Sequence, residues 1–176
     1  SNLKICISGG APLSNTLREK WEKVSGVRLV EGYGLTESSG VVSANPYVAM
    51  RKHGTIGQVL AQTRLLLLDK EDPTKLAPEG EPGELAINGP QIMQGYWNLP
   101  DADAEVFIEH QGRKWLRTGD VAQIDADGFV EIVDRIKDMI AVGGFKVFPS
   151  QVEDVLQEHP AIRDVLVIGV PDDYKG

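Results

Sequence analysis

The sequence predicts an α/β (α+β) fold assembled from two unequal pieces. Three observations support this. The first 50 residues read strand, Gly-rich turn, helix, strand. From about residue 51, helical periodicity fades and short apolar runs alternate with turn residues. Near Ile136 the pattern changes again, to strand-turn-strand, helix and a β-rich run. The expected boundaries are 1–136 for the larger piece (1–50 α/β, 51–136 β-rich) and 137–176 for the smaller.

Leu3, Ile5 and Ile7 alternate with Lys4, Cys6 and Ser8, the period of a half-buried strand. Gly9-Gly10-Ala11-Pro12 then enforces a sharp turn. Leu13, Leu17, Trp21 and Val24 fall on one apolar helical stripe, and Gly26 sits where a left-handed C-cap belongs. Residues 27–31 read as a second strand. A β-turn-α-β order of this kind places a ligand site beyond the strand C-termini.

In the β-rich stretch the predicted strands are 63–69, 84–88, 121–125 and 129–134, with Asp127-Gly128 as a hairpin turn. They are expected to form a small antiparallel sheet or distorted barrel, with a short helix over about 100–107. Beyond it, 139–142 and 145–148 read as strands about a Gly143-Gly144 turn. Ser150 and Glu153 have capping-box spacing, which predicts a helix with Ser150 as N-cap and Val152, Val155 and Leu156 inward. Residues 165–170 read as a further strand. A β-β-α-β unit this short has little core of its own, so 137–176 is expected to be the start of a domain.

Composition narrows the function. Lys and Arg number 18 and Asp and Glu 26, a net charge of −8 with no basic cluster, which argues against a nucleic-acid partner. Backbone N–H groups remain able to hold a small anion. No apolar run approaches the ~20 residues that span a bilayer, no secretory signal is apparent, and the lone Cys6 excludes an internal disulfide. A cytoplasmic location is the resulting expectation.

Standard local motifs are missing. There is no phosphate loop of the G-x-x-x-x-G-K-[ST] type, and Gly32-x-Gly34-x-x-Glu37 lacks the third glycine of a dinucleotide fingerprint. Asp125-x-Asp127-Gly128 fails as a calcium loop because its glycine is misplaced and Ile136 stands at the closing acid position. A nucleophile elbow is also missing.

Glu31-Gly32-Tyr33-Gly34-Leu35-Thr36-Glu37 is more informative. Its glycines permit close approach of a ligand to the main chain. Tyr33 offers a flat face for a base, Thr36 a hydroxyl for a phosphate oxygen and Glu37 a hard oxygen for Mg²⁺. A plain strand-to-loop turn with an aromatic plug explains the segment equally well. Gly9 and Gly10 after the neighbouring strand could wall the same crevice, or simply turn the chain. In Trp115-Leu116-Arg117-Thr118-Gly119-Asp120 the final carboxylate could accept two ribose hydroxyls, or cap its own turn. Asp134-Arg135-Ile136-Lys137-Asp138 reads by itself as a solvated charged linker, and 83–89 as a structural strand between glycines.

The order of these segments resembles the adenylate-forming superfamily: acyl-CoA synthetases, luciferase and peptide-synthetase adenylation domains. The likeness runs over nearly the whole chain. The 31–37 segment with Asn45-Pro46-Tyr47, and later Lys137-Asp138-Met139-Ile140, is most similar to bacterial medium- or long-chain fatty acid–CoA ligases.

The resemblance implies an adenine pocket of Gly9, Gly10, Ala11 and Pro12 on one side and Glu31, Gly32, Tyr33 and Gly34 on the other. It implies phosphate binding by Thr36 and Mg²⁺ at Glu37. It also implies ribose binding by Asp120 with Arg135, a domain hinge at Lys137, and approach of Gly143, Gly144 and Phe145 to the pantetheine of CoA. Thr36, Glu37 and the hinge Lys137 would carry the catalytic roles. ATP, Mg²⁺, CoA and a fatty acid are the expected small-molecule partners, and peripheral membrane association of the parent protein stays open. The family's upstream phosphate loop with its lysine, and its late catalytic lysine, find no counterpart in these residues, so the chain alone is expected to be inactive. Other adenylate-forming chemistry, or a non-enzymatic β-rich binding module, are the alternative readings.

Overall fold

The computed structural model describes residues 2–157 and 159–175. Strand β1 (Cys6–Ser8) lies parallel to β2 (Leu29–Leu35) with Ser8 opposite Glu31, and helix α1 (Asn15–Ser25) is the crossover between them. Ser14 caps α1 by accepting from Leu17 N–H, and Gly26 ends it in the left-handed conformation at φ 69°. Strands β3 (Gly40–Ala44) and β4 (Gln58–Val59) complete a four-stranded sheet in the order β1-β2-β3-β4.

The second sheet has five strands. Strands β5 (Arg64–Leu68), β6 (Gly83–Asn88), β7 (Phe107–His110), β8 (Arg113–Ile124) and β9 (Val130–Arg135) are antiparallel in the order β5-β6-β8-β7, with β9 also on β8. Helix α2 (Pro100–Val106) precedes β7, with Pro100 in its first turn, where a missing N–H costs nothing. The sheets are joined where Ile56 N–H donates to Val130 O and Val130 N–H donates to Gly57 O, 2.8 and 2.9 Å. Between them Val42, Leu85, Ile87, Leu116, Ala122 and Val130 form one core, while Leu68, Ala86 and Trp115 pack together in a second cluster. Fully burying a side chain such as Leu85 or Ile87 contributes about 1.5–3 kcal/mol.

The chain then passes a 3-10 turn (Ile136–Asp138) into the hairpin β10 (Ile140–Val142) and β11 (Phe145–Val147) and helix α3 (Pro149–Gln157).

The apolar α1 stripe is not buried: Leu17, Trp21 and Val24 are exposed, and Arg18 is the buried residue of the helix. Several expectations are corrected. Helix α3 starts at Pro149, so Ser150 lies inside it. Ser150 donates its N–H to Asp134 Oδ2 at 3.1 Å, and Glu153 accepts from Val167 N–H at 2.7 Å, so neither residue makes a capping box. Val155 is exposed, with Val152 and Leu156 at the exposed margin. Residues 165–170 form no strand. Their Leu166, Ile168 and Val170 face solvent, and β-propensity without a neighbouring ladder does not make a strand. Finally, Gly32-Tyr33-Gly34 belongs to β2, and Thr118-Gly119-Asp120 is a bulge within the twelve-residue β8 rather than a turn.

Candidate functional site

Because β1 and β2 are parallel, their C-terminal ends open on the same side. The turn at Gly9 and Gly10 leaves one; a 3-10 turn (Thr36–Ser38) leaves the other. Between them lies a cleft of about 620 Å³. Its walls include Gly9 and Gly10, then Gly32, Tyr33 and Gly34, then Thr36 and Glu37, with Arg135 entering from the end of β9. Ile7, Leu35, Gly40 and Val41 complete the lining and were not anticipated. Ala11, Pro12, Glu31 and Asp120 stand outside it.

The hairpin between β2 and β3 is very tight. A Cβ on Gly34 would lie 2.0 Å from Gly40 O, so only glycine fits. Ser38 is fully buried; its Oγ accepts from Leu35 N–H at 2.9 Å and donates to Gly40 O at 2.7 Å. That fixed turn carries Thr36 and Glu37 at the cleft.

Asp120 reaches the site by a different route. The buried Glu84 on β6 accepts from Arg117 Nε and Nη2, at 3.0 and 2.8 Å, and from Gly119 N–H at 3.3 Å. Thr118 Oγ1 donates to Leu85 O and accepts from Asp120 N–H. Gly119 holds φ 74°, a conformation that favours glycine. The bulge so formed turns Asp120 toward β2 and β9. There its Oδ2 accepts from Tyr33 OH at 2.5 Å and its Oδ1 from Arg135 Nε at 3.1 Å. Asp120 is 3% exposed. Burial, reinforced by the Asp120 charge and hydrogen bond, raises the Tyr33 hydroxyl far above its ordinary value, so it stays a proton donor. Asp120 itself does not line the cleft: its carboxylate lies behind Tyr33 and Arg135, which do.

Glu37 is held from a third direction. Tyr96 OH donates to Glu37 Oε1 at 2.8 Å, and Met93 N–H donates to Glu37 O at 2.7 Å. Tyr96 is 59 residues distant in sequence, and no local pattern signals that contact. Among the described residues no group of three or more His, Cys, Asp or Glu converges as a metal cage. A single carboxylate beside a hydroxyl fits a hard cation that brings water and phosphate oxygens with it, as Mg²⁺ does. A nucleotide also fits: the cleft presents the Tyr33 side chain, glycine backbone from both strands and the Glu37 carboxylate.

Lys137 lies in the 3-10 turn after β9, exposed and apart from the cleft lining. Gly143, Gly144 and Phe145 form the exposed end of the β10–β11 hairpin and also stand outside the lining, with Phe145 77% exposed. The predicted nucleotide residues are thus largely brought together, while the hinge and thiol-binding candidates are not.

Known proteins were compared with this architecture. The model of one family, described as AMP-binding enzyme, matches residues 1–97. A long-chain-fatty-acid--CoA ligase of Escherichia coli is 44% identical over 176 residues, covering 100% of this chain and 30% of that protein. The chain therefore spans about a third of such relatives. Among solved structures, ATP-bound MatB from Rhodopseudomonas palustris superposes with a TM-score of 0.85 at 33% identity, covering 97% of this chain and 33% of that one. The o-succinylbenzoate coenzyme A synthetase MenE of Bacillus subtilis, in complex with ATP and magnesium, gives 0.79 at 31% identity, covering 98% and 35%.

Proposed function

This chain belongs to the AMP-binding enzyme family, and from that premise we propose that it is a segment of an ATP-dependent fatty acid–CoA ligase. The identity to long-chain-fatty-acid--CoA ligases over the full 176 residues supports the substrate class. In the proposed reaction a carboxylate oxygen attacks the α-phosphorus of ATP and pyrophosphate leaves. The CoA sulfur then attacks the acyl carbon, losing its proton, and AMP leaves. The single observation that carries the nucleotide assignment is the meeting of Tyr33, Asp120 and Arg135 beside Thr36 and Glu37.

In this reading Tyr33 lies against the adenine and the Gly9-Gly10-Ala11-Pro12 turn faces it, with Glu31, Gly32 and Gly34 supplying the opposite backbone. Asp120 takes the two ribose hydroxyls, Arg135 orienting its carboxylate. Thr36 donates to a phosphate oxygen, and Glu37 supplies the protein oxygen for Mg²⁺, which would neutralise phosphate charge when bound. Such a step is managed mainly by positioning and by fixed dipoles and cations. Lys137 is proposed as the hinge between 1–136 and 137–176, whose Gly143-Gly144-Phe145 turn would approach CoA.

The test is Asp120→Ala in the parent protein. Losing the charge-assisted hydrogen bonds should cost about 1.5–3 kcal/mol of ATP binding, read by calorimetry; unchanged affinity removes the ribose role. Missing cationic groups should leave the 176-residue chain without pyrophosphate exchange, since one such donor is worth ~10²–10³ in rate, and signal above blank would refute that. A second reading, an aryl-acid ligase, is favoured by the likeness to MenE; a panel of fatty and aromatic acids on the parent separates the two.

A further inference from the structure

We infer that Tyr96 is a positioning residue for Glu37, holding its carboxylate in the direction a phosphate-bound divalent cation requires. The inference rests on the reading of Glu37 as a cation ligand and adds the part of the chain that aims it.

Glu37 sits in a three-residue turn (Thr36–Ser38) at the edge of the cleft, half-buried. A glutamate side chain there has three torsions to fix. Tyr96 OH fixes the head group through Oε1, and Met93 N–H fixes the main chain through Glu37 O. Both donors come from one short segment between β6 and α2. That segment is itself tied down. Tyr96 N–H donates to Asp103 Oδ1 at 2.7 Å. Asp103 presses so closely on Gly95 that a Cβ there would lie 2.3 Å from its Oδ2. Asp103 N–H donates in turn to Leu99 O at 3.1 Å. The chain of support therefore runs from α2 through Asp103 to Tyr96 and on to Glu37.

A neutral phenol suits this task. It occupies one acceptor position of the carboxylate and leaves the others for a cation. A lysine or arginine at the same place would cancel the charge that attracts the metal. Outer groups that orient a ligand in this way are typically worth about 10–100-fold in metal affinity or activity.

The experiment measures Mn²⁺ binding by electron paramagnetic resonance in the parent protein, saturated with a non-hydrolysable ATP analogue. Tyr96→Phe removes one oxygen and should weaken Mn²⁺ about 10–100-fold, with affinity for the analogue in EDTA unchanged. Asp103→Ala reaches the same tether from its far end and should shift Mn²⁺ affinity in the same direction, by less. Glu37→Gln is the reference. If it weakens Mn²⁺ while both other variants bind as wild type, the tether is refuted and the ligand role of Glu37 stands. If Glu37→Gln itself leaves Mn²⁺ binding unchanged, the ligand role falls and the inference with it.

Discussion

Residues 64–135 and residues 136–175 are both rich in strand-forming side chains, yet they bury them very differently. In the first, Leu68, Leu85, Ile87, Leu116, Val121 and Val130 are at most 2% exposed. In the second, Phe145, Val155, Leu166 and Ile168 are 67–79% exposed. The cause is topology rather than composition. Strand β8 is twelve residues long and pairs with β6, β7 and β9, so side chains on its two faces meet covered neighbours. Among the described residues, strands β10 and β11 pair only with each other, and an isolated hairpin is marginal. Asp120 and its partners accordingly stand on a rigid frame. Lys137 and the Gly143-Gly144 turn stand on a piece held to it by fewer contacts.

The sharpest way to break this comparison is to loosen the frame where it holds Asp120. Glu84 is 3% exposed and accepts from Arg117 and Gly119. Glu84→Ala leaves Arg117 without its carboxylate and the bulge without its acceptor. Because the Arg117 side chain is 28% exposed and can be rehydrated, the expected cost is about 1.5–3 kcal/mol, the usual worth of hydrogen bonds to a charged group, measured by urea unfolding of the 176-residue chain followed by circular dichroism. A loss below about 1 kcal/mol would show that the frame does not depend on the pair.

A smaller effect is expected where α1 meets the first sheet. Arg51 donates to both Glu22 oxygens, at 2.5 and 2.9 Å, and Leu29 N–H donates to Oε1 at 2.9 Å. The Arg51 hydrogen bonds, helped by Leu29 N–H and opposed by burial, lower the Glu22 carboxyl from 4.5 to about 2. A depressed carboxyl contributes stability that is complete above its unfolded value and fades as pH falls through the folded one. Between pH 6 and pH 3 the wild type should therefore lose more stability than Glu22→Gln. Parallel pH profiles would remove Glu22 as the anchor of α1.

What was legible in the sequence divides by range. The Gly26 cap, the Pro100 helix start and the Asp127-Gly128 hairpin depend on residues within one turn of each other, and local chemistry suffices for them. The α1 stripe was legible as a helical period but not as to what covers it; Arg18 is buried instead of Leu17 or Trp21. Thr118-Gly119-Asp120 reads as a turn because the groups that make it a bulge, Glu84 and Leu85, lie more than 30 residues away. Of the cleft lining, Gly9, Gly10, Gly32, Tyr33, Gly34, Thr36, Glu37 and Arg135 were named through the family resemblance, while Ile7, Leu35, Gly40 and Val41 were not. The contacts of Tyr33 with Asp120 across 87 residues and of Tyr96 with Glu37 across 59 were not legible.

The smallest effect sharpens the comparison from the other side. The second piece touches the first through Ser150 N–H, which donates to Asp134 Oδ2 at 3.1 Å, through Lys146 Nζ to Glu71 Oε1 at 2.7 Å, and through Lys70 Nζ 5.8 Å from the Phe148 ring. Glu71 is 77% exposed in that pair and Lys146 32%. An ion pair so open to water contributes about 0–1 kcal/mol. Lys146→Ala should thus leave the urea midpoint of the chain almost unchanged, while raising amide exchange across residues 140–147, whose other tie is Gly143 N–H to Lys175 O at 2.7 Å within the second piece. A large fall in the midpoint, with no change in exchange, would mean that the hairpin is part of the frame. The division between a well-packed frame around the cleft and a loosely held second piece would then fail.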